Sequence, residues 1–346
     1  MNPARSETPF AALPKVELHL HLEGSIAPAT AAQLAARNGI TVSQEEAARR
    51  YNYADFNGFL DAFKWVTKFL RTPEDYSLIL HRLTDELLRQ NVVYAEVTTS
   101  VGVMLKRGQD VQANFAALRE TADRARDRGL GIQWIFDAAR QFGPAAAMEV
   151  AQLAARLQMG GVVAFGMGGD ELAYPAEDFR AVYTFARSEG LHLVAHAGEV
   201  GGPDSIQDAI ERLGAERVGH GIAAIRDPAL MDSLAARRIP LENCISSNFR
   251  TGALARQLEK ADPKAEDHPL KKFFDRGVLV VLSSDDPAMF HTDLLSEYDK
   301  AAALGFQMSE LVRLAQMSFE AAFLPPGEKR SLLESFQSQA KSLGLL

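Results

Sequence analysis

Short runs of apolar and β-branched residues recur along the 346-residue chain, and each is followed by a stretch whose apolar positions have helical spacing. Strands joined by helices in this order predict a parallel sheet with crossover helices. Eight such units favour an α/β fold of the (β/α)8 TIM-barrel type, with an open doubly wound sheet as the alternative. The predicted strands cover residues 16–20, 92–97, 131–136, 161–165, 191–195, 217–219, 239–244 and 278–282.

A helical insert is predicted after the first strand, over residues 28–90. The helical spacing of its aromatic residues favours core packing for most of them, and a cap over an apolar substrate pocket is the less favoured alternative. No linker, low-complexity tract or internal repeat divides the chain, so residues 1–346 are predicted to form one domain. The aromatic residues are Tyr51, Tyr53, Phe56, Phe59, Phe63, Trp65 and Phe69.

Composition narrows the class of function. Hydrophobic residues make up 47% and charged residues 24% of the chain, as in ordinary globular proteins. The net charge is −8, and no stripe of Lys and Arg is present, so a small-molecule substrate is expected and a nucleic-acid partner is not. The first 13 residues lack the apolar segment of a signal peptide, and no apolar run approaches the roughly 18 residues that span a membrane.

We therefore expect a cytoplasmic protein without a membrane partner. Cys244 is the single cysteine, which excludes an intramolecular disulfide and suits a reducing compartment. Its apolar surroundings predict a buried, inert thiol. No feature of the sequence predicts an oligomeric state.

Histidines at strand ends indicate a metal site. His19 and His21 lie two apart in an alternating apolar stretch, so both imidazoles face the same side of a strand. Taken alone, the pair is as consistent with packing as with metal binding. In a (β/α)8 barrel, however, active sites lie at the carboxyl ends of the strands, where His196 and Asp285 also fall. His19, His21, His196 and Asp285 are therefore the predicted ligands of a catalytic zinc ion.

One zinc ion per chain is favoured over two. Two-metal barrel hydrolases commonly need a bridging group, such as a lysine at the end of the fourth strand, and residues 161–166 contain no lysine. A single ion would lower the pKa of bound water and make hydroxide near neutral pH.

Three further polar residues follow strand ends and suit hydroxide attack on an aromatic ring carbon. Glu199 is placed to be the acid/base, His220 to hold or deprotonate the water, and Asp286 to share a proton with a ring nitrogen. Each residue also has an ordinary interpretation without catalysis. Glu199 would be a solvated side chain, His220 part of a turn set by its flanking glycines, and Asp286 a turn cap. Their joint occurrence favours the catalytic interpretation.

Four motifs follow one another along the chain, in residues 19–25 (HLHLEGS), 196–199 (HAGE), 219–221 (GHG) and 284–287 (SDDP). Together they resemble the motifs of the adenosine deaminase family of the amidohydrolase superfamily, and the resemblance covers nearly the whole chain. It implies a (β/α)8 barrel with one zinc ion that hydrolytically removes the 6-amino group of a purine.

The resemblance also implies a role for each motif residue. The zinc ligands would again be the three histidines and the aspartate predicted above, with His21 also facing the substrate. The other implied roles are Glu199 as proton donor to purine N1, His220 positioning the hydroxide, Asp286 meeting N7, and Gly169 giving a backbone N–H to N3.

Glu23 bears on the choice of substrate. Adenosine deaminases proper usually carry Asp here, against the ribose 5′-hydroxyl, and the extra bond of Glu moves the carboxylate by up to about 1.5 Å. In this respect the chain is similar to adenine deaminases and 6-aminodeoxyfutalosine deaminases. Residues 249–252 are more similar to the nucleoside enzymes, and Arg250 either meets a carboxylate on an extended substrate or, as we favour, is a solvated loop charge.

The predicted function is zinc-dependent hydrolytic deamination of a 6-aminopurine nucleoside, adenosine or 6-aminodeoxyfutalosine. Deamination of free adenine is the alternative. A non-catalytic purine-binding protein is disfavoured because all the proposed ligands and Glu199 are present. The other zinc deaminases, which carry a Pro-Cys-x-x-Cys element, are excluded by the single cysteine.

Overall fold

Eight parallel strands pair in sequential order in the computed structural model, which describes residues 9–346. A parallel bridge between Leu20 and Asp285 joins the segment after the eighth strand to the first strand. Asp285 N–H donates to His19 O at 3.0 Å, and His21 N–H donates to Asp285 O at 2.8 Å. The (β/α)8 barrel is thus confirmed, and the open doubly wound sheet is wrong. Residues 1–8, which the one-domain prediction included, lie outside the described residues.

All eight predicted strands are present. Several continue beyond their predicted carboxyl ends, because backbone pairing goes on through polar and small residues after the continuous apolar run has stopped. The seventh begins after Pro240, which has no N–H to donate to a neighbouring strand. The strands are β1 Lys15–His21, β2 Val92–Thr99, β3 Gly131–Ala139, β4 Val162–Gly168, β5 His192–Ala197, β6 Arg217–His220, β7 Leu241–Asn243 and β8 Val280–Leu282.

Helices surround the barrel and cover its carboxyl end. Among the helices of the described part, none is long and apolar enough to cross a membrane. The helices are α1 Pro9–Ala12, α2 Pro28–Arg37, α3 Gln44–Arg50, α4 Phe56–Thr67, α5 Pro73–Arg89, α6 Val101–Lys106, α7 Val111–Arg126, α8 Gly143–Arg156, α9 Arg180–Ser188, α10 Pro203–Glu211, α11 Pro228–Arg237, α12 Ile245–Arg250, α13 Ala253–Leu258, α14 Leu270–Asp275, α15 Leu294–Ala303, α16 Met308–Ala321 and α17 Pro326–Ser342.

Four helices, α2 to α5, lie between β1 and β2. Local sequence explains where they begin. The Asp55 side chain accepts the Gly58 N–H at 2.9 Å and caps α4. Thr72 and Asp75 form a capping box at the start of α5, with Pro73 in the first turn, where its missing N–H costs nothing. The capping fixes where α4 starts, next to the carboxyl end of the barrel.

A buried ion network crosses the barrel interior. Arg217 on β6 lies 2.6 Å from Glu96 on β2 and 2.6 Å from Glu242 on β7, and all three side chains are at most 1% exposed. The guanidinium also lies 3.7 Å from the ring centroid of Phe323, and its Nη1 donates to Ala321 O at 3.1 Å. Because β2 and β6 are opposite strands of the barrel, this network ties its two sides together.

Candidate metal and catalytic site

Histidine rings converge at the carboxyl end of the barrel. The ring centroids of His19 and His21, both on β1, are 5.4 Å apart. His196 comes from β5, and its centroid lies 4.7 Å from that of His19 and 5.4 Å from that of His21. The same-face prediction for the β1 pair therefore agrees with the geometry, and a distant strand adds the third imidazole.

Asp285 completes the group of four predicted ligands. Its Oδ1 lies 3.5 Å from His19 Nε2 and 3.5 Å from His21 Nε2. The residue has φ 64°, a left-handed backbone that residues other than glycine seldom adopt. The backbone hydrogen bonds that close the barrel hold Asp285 in this conformation and aim its carboxylate at the imidazoles.

Potential ligand atoms fall into overlapping groups within 4.8 Å of one another. All four predicted ligands are members, and so are three residues that were predicted to have other roles, His220, Asp286 and Cys244. Two of these groups are His19 with His196 and His220, and His21 with Asp285 and Asp286.

Cys244 also lies within 4.8 Å of ligand atoms of His19 and Asp285, which the sequence pattern did not indicate. The thiol is buried, as predicted. Burial raises the pKa of this thiol well above its usual range, with nearby Asp285 adding to the effect. The sulfur therefore stays protonated, and a thiol is a poor metal ligand.

The His19 ring is oriented by a carboxylate behind it. Glu242 Oε2 lies 2.7 Å from His19 Nδ1, which leaves Nε2 facing the cluster. That Nε2 is buried and has no hydrogen-bond partner. Burial lowers the pKa of His21 to about 4, so its imidazole is neutral and offers a lone pair. The orphaned nitrogen and the imidazole and carboxylate donors fit a divalent metal ion of the zinc type.

Two glycines make room for the cluster. A Cβ on Gly219 would lie 2.9 Å from His19 Cε1 and 2.9 Å from His196 Cδ2. A Cβ on Gly24 would lie 1.8 Å from Asp286 Oδ1. Any larger residue at either position would displace these side chains, so the glycines in the HLHLEGS and GHG motifs are needed for space at the site.

Glu199 lies beside this cluster. Its Oε2 is 3.5 Å from His220 Nε2, and Thr251 Oγ1 donates to its Oε1 at 3.5 Å. Burial raises the pKa of Glu199 well above its usual range, and the charge of Asp285 raises it further. The raised pKa favours the protonated carboxyl, the form that can act as an acid.

The loop that carries Glu199 is held by another carboxylate. Glu171, after β4, accepts the four consecutive N–H groups of residues 198–201 at 2.6 to 3.2 Å, and the Ser205 hydroxyl at 2.6 Å. Gln257 donates to Glu199 O at 2.9 Å and to Gly201 O at 2.7 Å. Sequence reasoning missed both roles, because such contacts join segments that are distant in the chain.

His220 is held by a chain of buried hydrogen bonds. Asn248 Nδ2 donates to His220 Nδ1 at 3.2 Å, and His268 Nε2 donates to Asn248 Oδ1 at 3.1 Å. Leu270 N–H donates to His268 Nδ1 at 3.3 Å, which fixes the direction of the whole chain. Burial lowers the pKa of His220 to about 4 and that of His268 to about 3. The hydrogen bonds thus assign the His220 proton to Nε2, facing Glu199.

His268 follows no predicted strand end, so its sequence context favours a surface or packing role. The structure instead makes it the hydrogen-bond partner of Asn248 and so part of the support of His220. In the sequence, His268 stands just before Pro269 and the helix α14. This position alone indicates no hydrogen-bond partner.

A cavity of about 640 Å³ opens onto the cluster. Its lining includes Gly169, which follows β4 with φ 89°. Phe56, Phe59 and Phe63 on α4 line the cavity and also pack in or against the hydrophobic core, so the packing interpretation holds and the capping alternative applies to them as well. Predicted site residues that also line the cavity are His21, His196, Glu199, His220, Asp285 and Asp286.

Glu23 lies next to the cavity without lining it. Its carboxylate accepts the Ser100 N–H at 3.1 Å and the Ser100 hydroxyl at 3.2 Å, and Ser100 does line the cavity. Burial raises the pKa of Glu23 to about 7. Asp137 is a cavity residue that sequence reasoning missed, and burial, with Glu23 nearby, raises its pKa to about 8. The predicted third strand ended one residue before it.

Arg250 is not a solvated loop charge. Its Nη2 donates to Tyr51 O at 2.9 Å, and its guanidinium lies 5.3 Å from the ring centroid of Tyr53. It is absent from the cavity lining, so its contacts connect α12 to the segment between α3 and α4.

Known proteins are similar to this chain in sequence and in fold. A family model described as adenosine deaminase matches residues 14–339. The aminodeoxyfutalosine deaminase of Streptomyces avermitilis is 39% identical over 328 residues, which cover 92% of this chain and 89% of that protein. The adenine deaminase of Rhizobium johnstonii is 36% identical over 323 residues, 93% of this chain and 98% of that protein. A solved amidohydrolase from Burkholderia ambifaria, with bound Zn, has a TM-score of 0.87 at 25% identity, covering 99% of this chain and 95% of that one.

Proposed function

The chain belongs to the adenosine deaminase family and is a hydrolytic deaminase of purines, and from this premise we propose that its substrate is a 6-aminopurine nucleoside. The products are the 6-oxopurine nucleoside and ammonia, and the metal is one Zn²⁺ ion per chain. The observation that carries the proposal is the orphaned Nε2 of His19 among imidazole and carboxylate donors, with the Glu199 carboxyl, whose pKa is raised by burial, beside them at one end of a cavity.

His19, His21, His196 and Asp285 would hold the ion. When bound, zinc lowers the pKa of a coordinated water, so that hydroxide is available near neutral pH. Glu242 orients His19 from behind, and outer contacts of this kind support ligand geometry and basicity.

Residues around the metal site orient the purine and move the proton. Glu199 donates its proton to N1, so that C6 becomes open to attack. His220 presents its Nε2–H to the attacking oxygen and orients it. Asp286 Oδ1 is buried without a hydrogen-bond partner, and it can share a proton with N7. The Gly169 N–H is available to N3 at the cavity wall.

A nucleoside suits the cavity better than a free base. About 640 Å³ lies within the range of pockets that enclose a drug-sized ligand, and a purine base alone would occupy only a fraction of it. Glu23 contacts Ser100, a residue of the cavity lining, and in the proposed binding mode the ribose lies toward this pair. Deamination of free adenine is the second candidate, supported by the relative from Rhizobium johnstonii.

A panel of substrates tests the proposal. Adenosine, deoxyadenosine, 6-aminodeoxyfutalosine and adenine are offered to the zinc-loaded enzyme, and kcat/KM is measured from ammonia release. We expect the highest value for one of the nucleosides. A preference for adenine would establish the second candidate, and a zinc-loaded protein that deaminates none of the four would be a binding protein only.

Removal of the metal should abolish turnover and weaken the fold. Dialysis against a chelator is expected to eliminate ammonia release, and one equivalent of Zn²⁺ per chain should restore it. Because an ion that binds only the folded chain stabilises it, saturation at about 1,000 times the Kd would raise the free energy of unfolding by about 4 kcal/mol. Elemental analysis with thermal unfolding measures both effects. Two tightly held ions per chain would contradict the single-metal site.

Asn248 is expected to act on the rate through His220. In Asn248→Ala the donor to His220 Nδ1 is lost, so the imidazole can rotate or change tautomer. Misplacement of a group by about 1 Å can cost up to about 100-fold in rate, and we expect kcat to fall toward that limit with KM little changed. Asn248→Asp keeps the shape but replaces the donor by an acceptor, so it should not restore kcat. Full activity in Asn248→Asp would show that the hydrogen bond has no role.

A further inference from the structure

Two loops at the carboxyl end of the barrel are tied together beside the cavity. The loop after β3 carries Gln141, and the loop after β4 carries Gly169 and Asp170, all of which line the cavity. Gln141 Oε1 accepts the Asp170 N–H at 3.0 Å. A second tie comes from Arg140, whose Nη1 donates to Tyr174 O at 3.2 Å. These contacts between the loops hold the Gln141 side chain in place.

The hydrogen bond to Asp170 also fixes which way the Gln141 carboxamide points. A backbone N–H needs an acceptor, so the oxygen of the carboxamide faces Asp170 and the NH2 group points elsewhere. Among the described residues, no acceptor contacts Gln141 Nε2. Because the side chain is half-buried and lines the cavity, this donor is available to a ligand at the cavity wall.

Gln141 lies directly beside Gly169. A Cβ on Gly169 would lie 2.3 Å from Gln141 Oε1 and 3.2 Å from Gln141 Nε2, so the carboxamide occupies the space that a side chain at position 169 would need. Bond lengths alone then place Gln141 Nε2 within roughly 6 Å of the Gly169 nitrogen. The Gly169 N–H and the Gln141 NH2 group are thus two neighbouring donors on one wall.

The order of the strands places Gln141 between two positions that the proposed binding mode already uses. Strands β2, β3 and β4 are neighbours in the barrel. Ser100 directly follows β2, Gln141 follows β3, and Gly169 directly follows β4. With N3 of the purine at Gly169 and the ribose toward Ser100, the group between them faces the edge of the nucleoside that joins N3 to the sugar. The ribose 2′-hydroxyl lies on that edge.

We propose that Gln141 Nε2 donates a hydrogen bond to the ribose 2′-hydroxyl, so that the enzyme selects ribonucleosides over 2′-deoxyribonucleosides. The proposal rests on the function proposed above and specifies the sugar of its substrate. Since the loop contacts already hold the carboxamide, little side-chain entropy remains to be lost on binding. A 2′-deoxyribonucleoside would leave the donor without a partner against the sugar, which disfavours it.

Asp137, another polar residue of β3, lies at a different level of the cavity. A Cβ on Gly168 would lie 3.4 Å from Asp137 Oδ2 and 3.3 Å from His196 Cε1, so this carboxyl lies beside a proposed metal ligand. The purine reaches the metal site in the proposed binding mode, which places Asp137 level with the base. Gln141, two residues beyond the end of β3, is the polar group of this segment that remains for the sugar.

Three nucleosides test the hydrogen bond: adenosine, 2′-deoxyadenosine and 3′-deoxyadenosine. With the zinc-loaded enzyme, we expect kcat/KM for adenosine to exceed that for 2′-deoxyadenosine by about 2- to 12-fold. Gln141→Met has a similar length and no donor, so it should bring this ratio close to one. Loss of the bond to Asp170 slows all three substrates alike and cancels in the ratio. The ratio of adenosine to 3′-deoxyadenosine should therefore stay unchanged in the variant.

Further variants and a binding measurement support the test. Gln141→Asn keeps a carboxamide but withdraws it by about 1.5 Å, so it should also lower the preference for adenosine over 2′-deoxyadenosine. Gln152→Met, at an exposed position of α8 outside the cavity lining, is the matched control and should keep the preference. Calorimetry with purine riboside and its 2′-deoxy form, which have no amino group to lose, should give the same preference in Kd.

The outcomes separate the hydrogen bond from the function. Equal kcat/KM for adenosine and 2′-deoxyadenosine in the unaltered enzyme would overturn the hydrogen bond while leaving deamination intact. So would a preference that persists in both Gln141 variants, or a Gln141-dependent preference for the 3′-hydroxyl instead. If no nucleoside is deaminated but purine riboside binds more tightly than its 2′-deoxy form in a Gln141-dependent way, the hydrogen bond stands and the proposed function fails.

Discussion

Glu199→Gln is expected to keep its metal and lose turnover by about 100- to 10,000-fold in kcat. The substitution preserves the size of the side chain and a partner for the Thr251 hydroxyl, but an amide has no proton to give to a ring nitrogen. The loss should appear in kcat, since protonation of the ring is needed in the transition state and contributes little to ground-state binding. Steady-state kinetics and elemental analysis on the same preparation measure both parts of the expectation.

The control is Glu189→Gln, the same substitution at an exposed position after α9. It should leave kcat, KM and metal content at their original values. If Glu199→Gln retained comparable turnover, Glu199 would not be the acid. If it lost its metal, the defect would lie in the architecture of the site, because Glu199 is not among the predicted ligands.

Arg217→Met is expected to lower the free energy of unfolding by about 3–5 kcal/mol. The guanidinium lies 2.6 Å from each of two fully buried carboxylates, so its removal leaves negative charge in the barrel interior without a partner. Methionine is apolar and extends only as far as the arginine Nε, so the contact of the guanidinium with Phe323 is lost as well. The unpaired carboxylates set most of the cost, and the lost packing adds to it. Urea unfolding of the zinc-loaded protein measures it.

Arg276→Met is the matched control, because Arg276 pairs with Asp232 at 2.6 Å on the surface. Exposed ion pairs contribute about 1 kcal/mol or less. A loss in Arg217→Met no larger than in this control would contradict the role of the buried network. Since Glu242 also contacts His19, we expect Arg217→Met to weaken zinc binding by about 10- to 100-fold, an effect that the surface variant should not show.

The barrel and the clustering of the four proposed metal ligands were predictable because each depends on one regular pattern. Eight alternations of strand and helix indicate the sheet, and the carboxyl-end rule then places His196 and Asp285 beside the β1 histidines. The same rule missed Asp137 only because the apolar run of the third strand stops at Phe136, whereas the hydrogen-bonded strand continues to Ala139.

Residues that support the site were not predictable, because their partners are distant in the chain. Glu171 binds a loop 27 to 30 residues later, and Asn248 joins His220 to His268. In α4, one helical period places aromatic side chains both in the core and along the cavity, so the spacing alone does not separate the two. The position of α4 at the carboxyl end of the barrel determines which of these side chains reach the cavity.

The bridge between Leu20 and Asp285 has a consequence for biosynthesis. His19 N–H also bonds to the Ser283 hydroxyl, 264 residues further along the chain, in the same seam. A growing polypeptide therefore exposes its first two imidazoles long before the carboxylate that they meet has been translated. The proposed ligand set is complete only after Asp285 has been translated, so we expect metal binding to be a late step in the maturation of this protein.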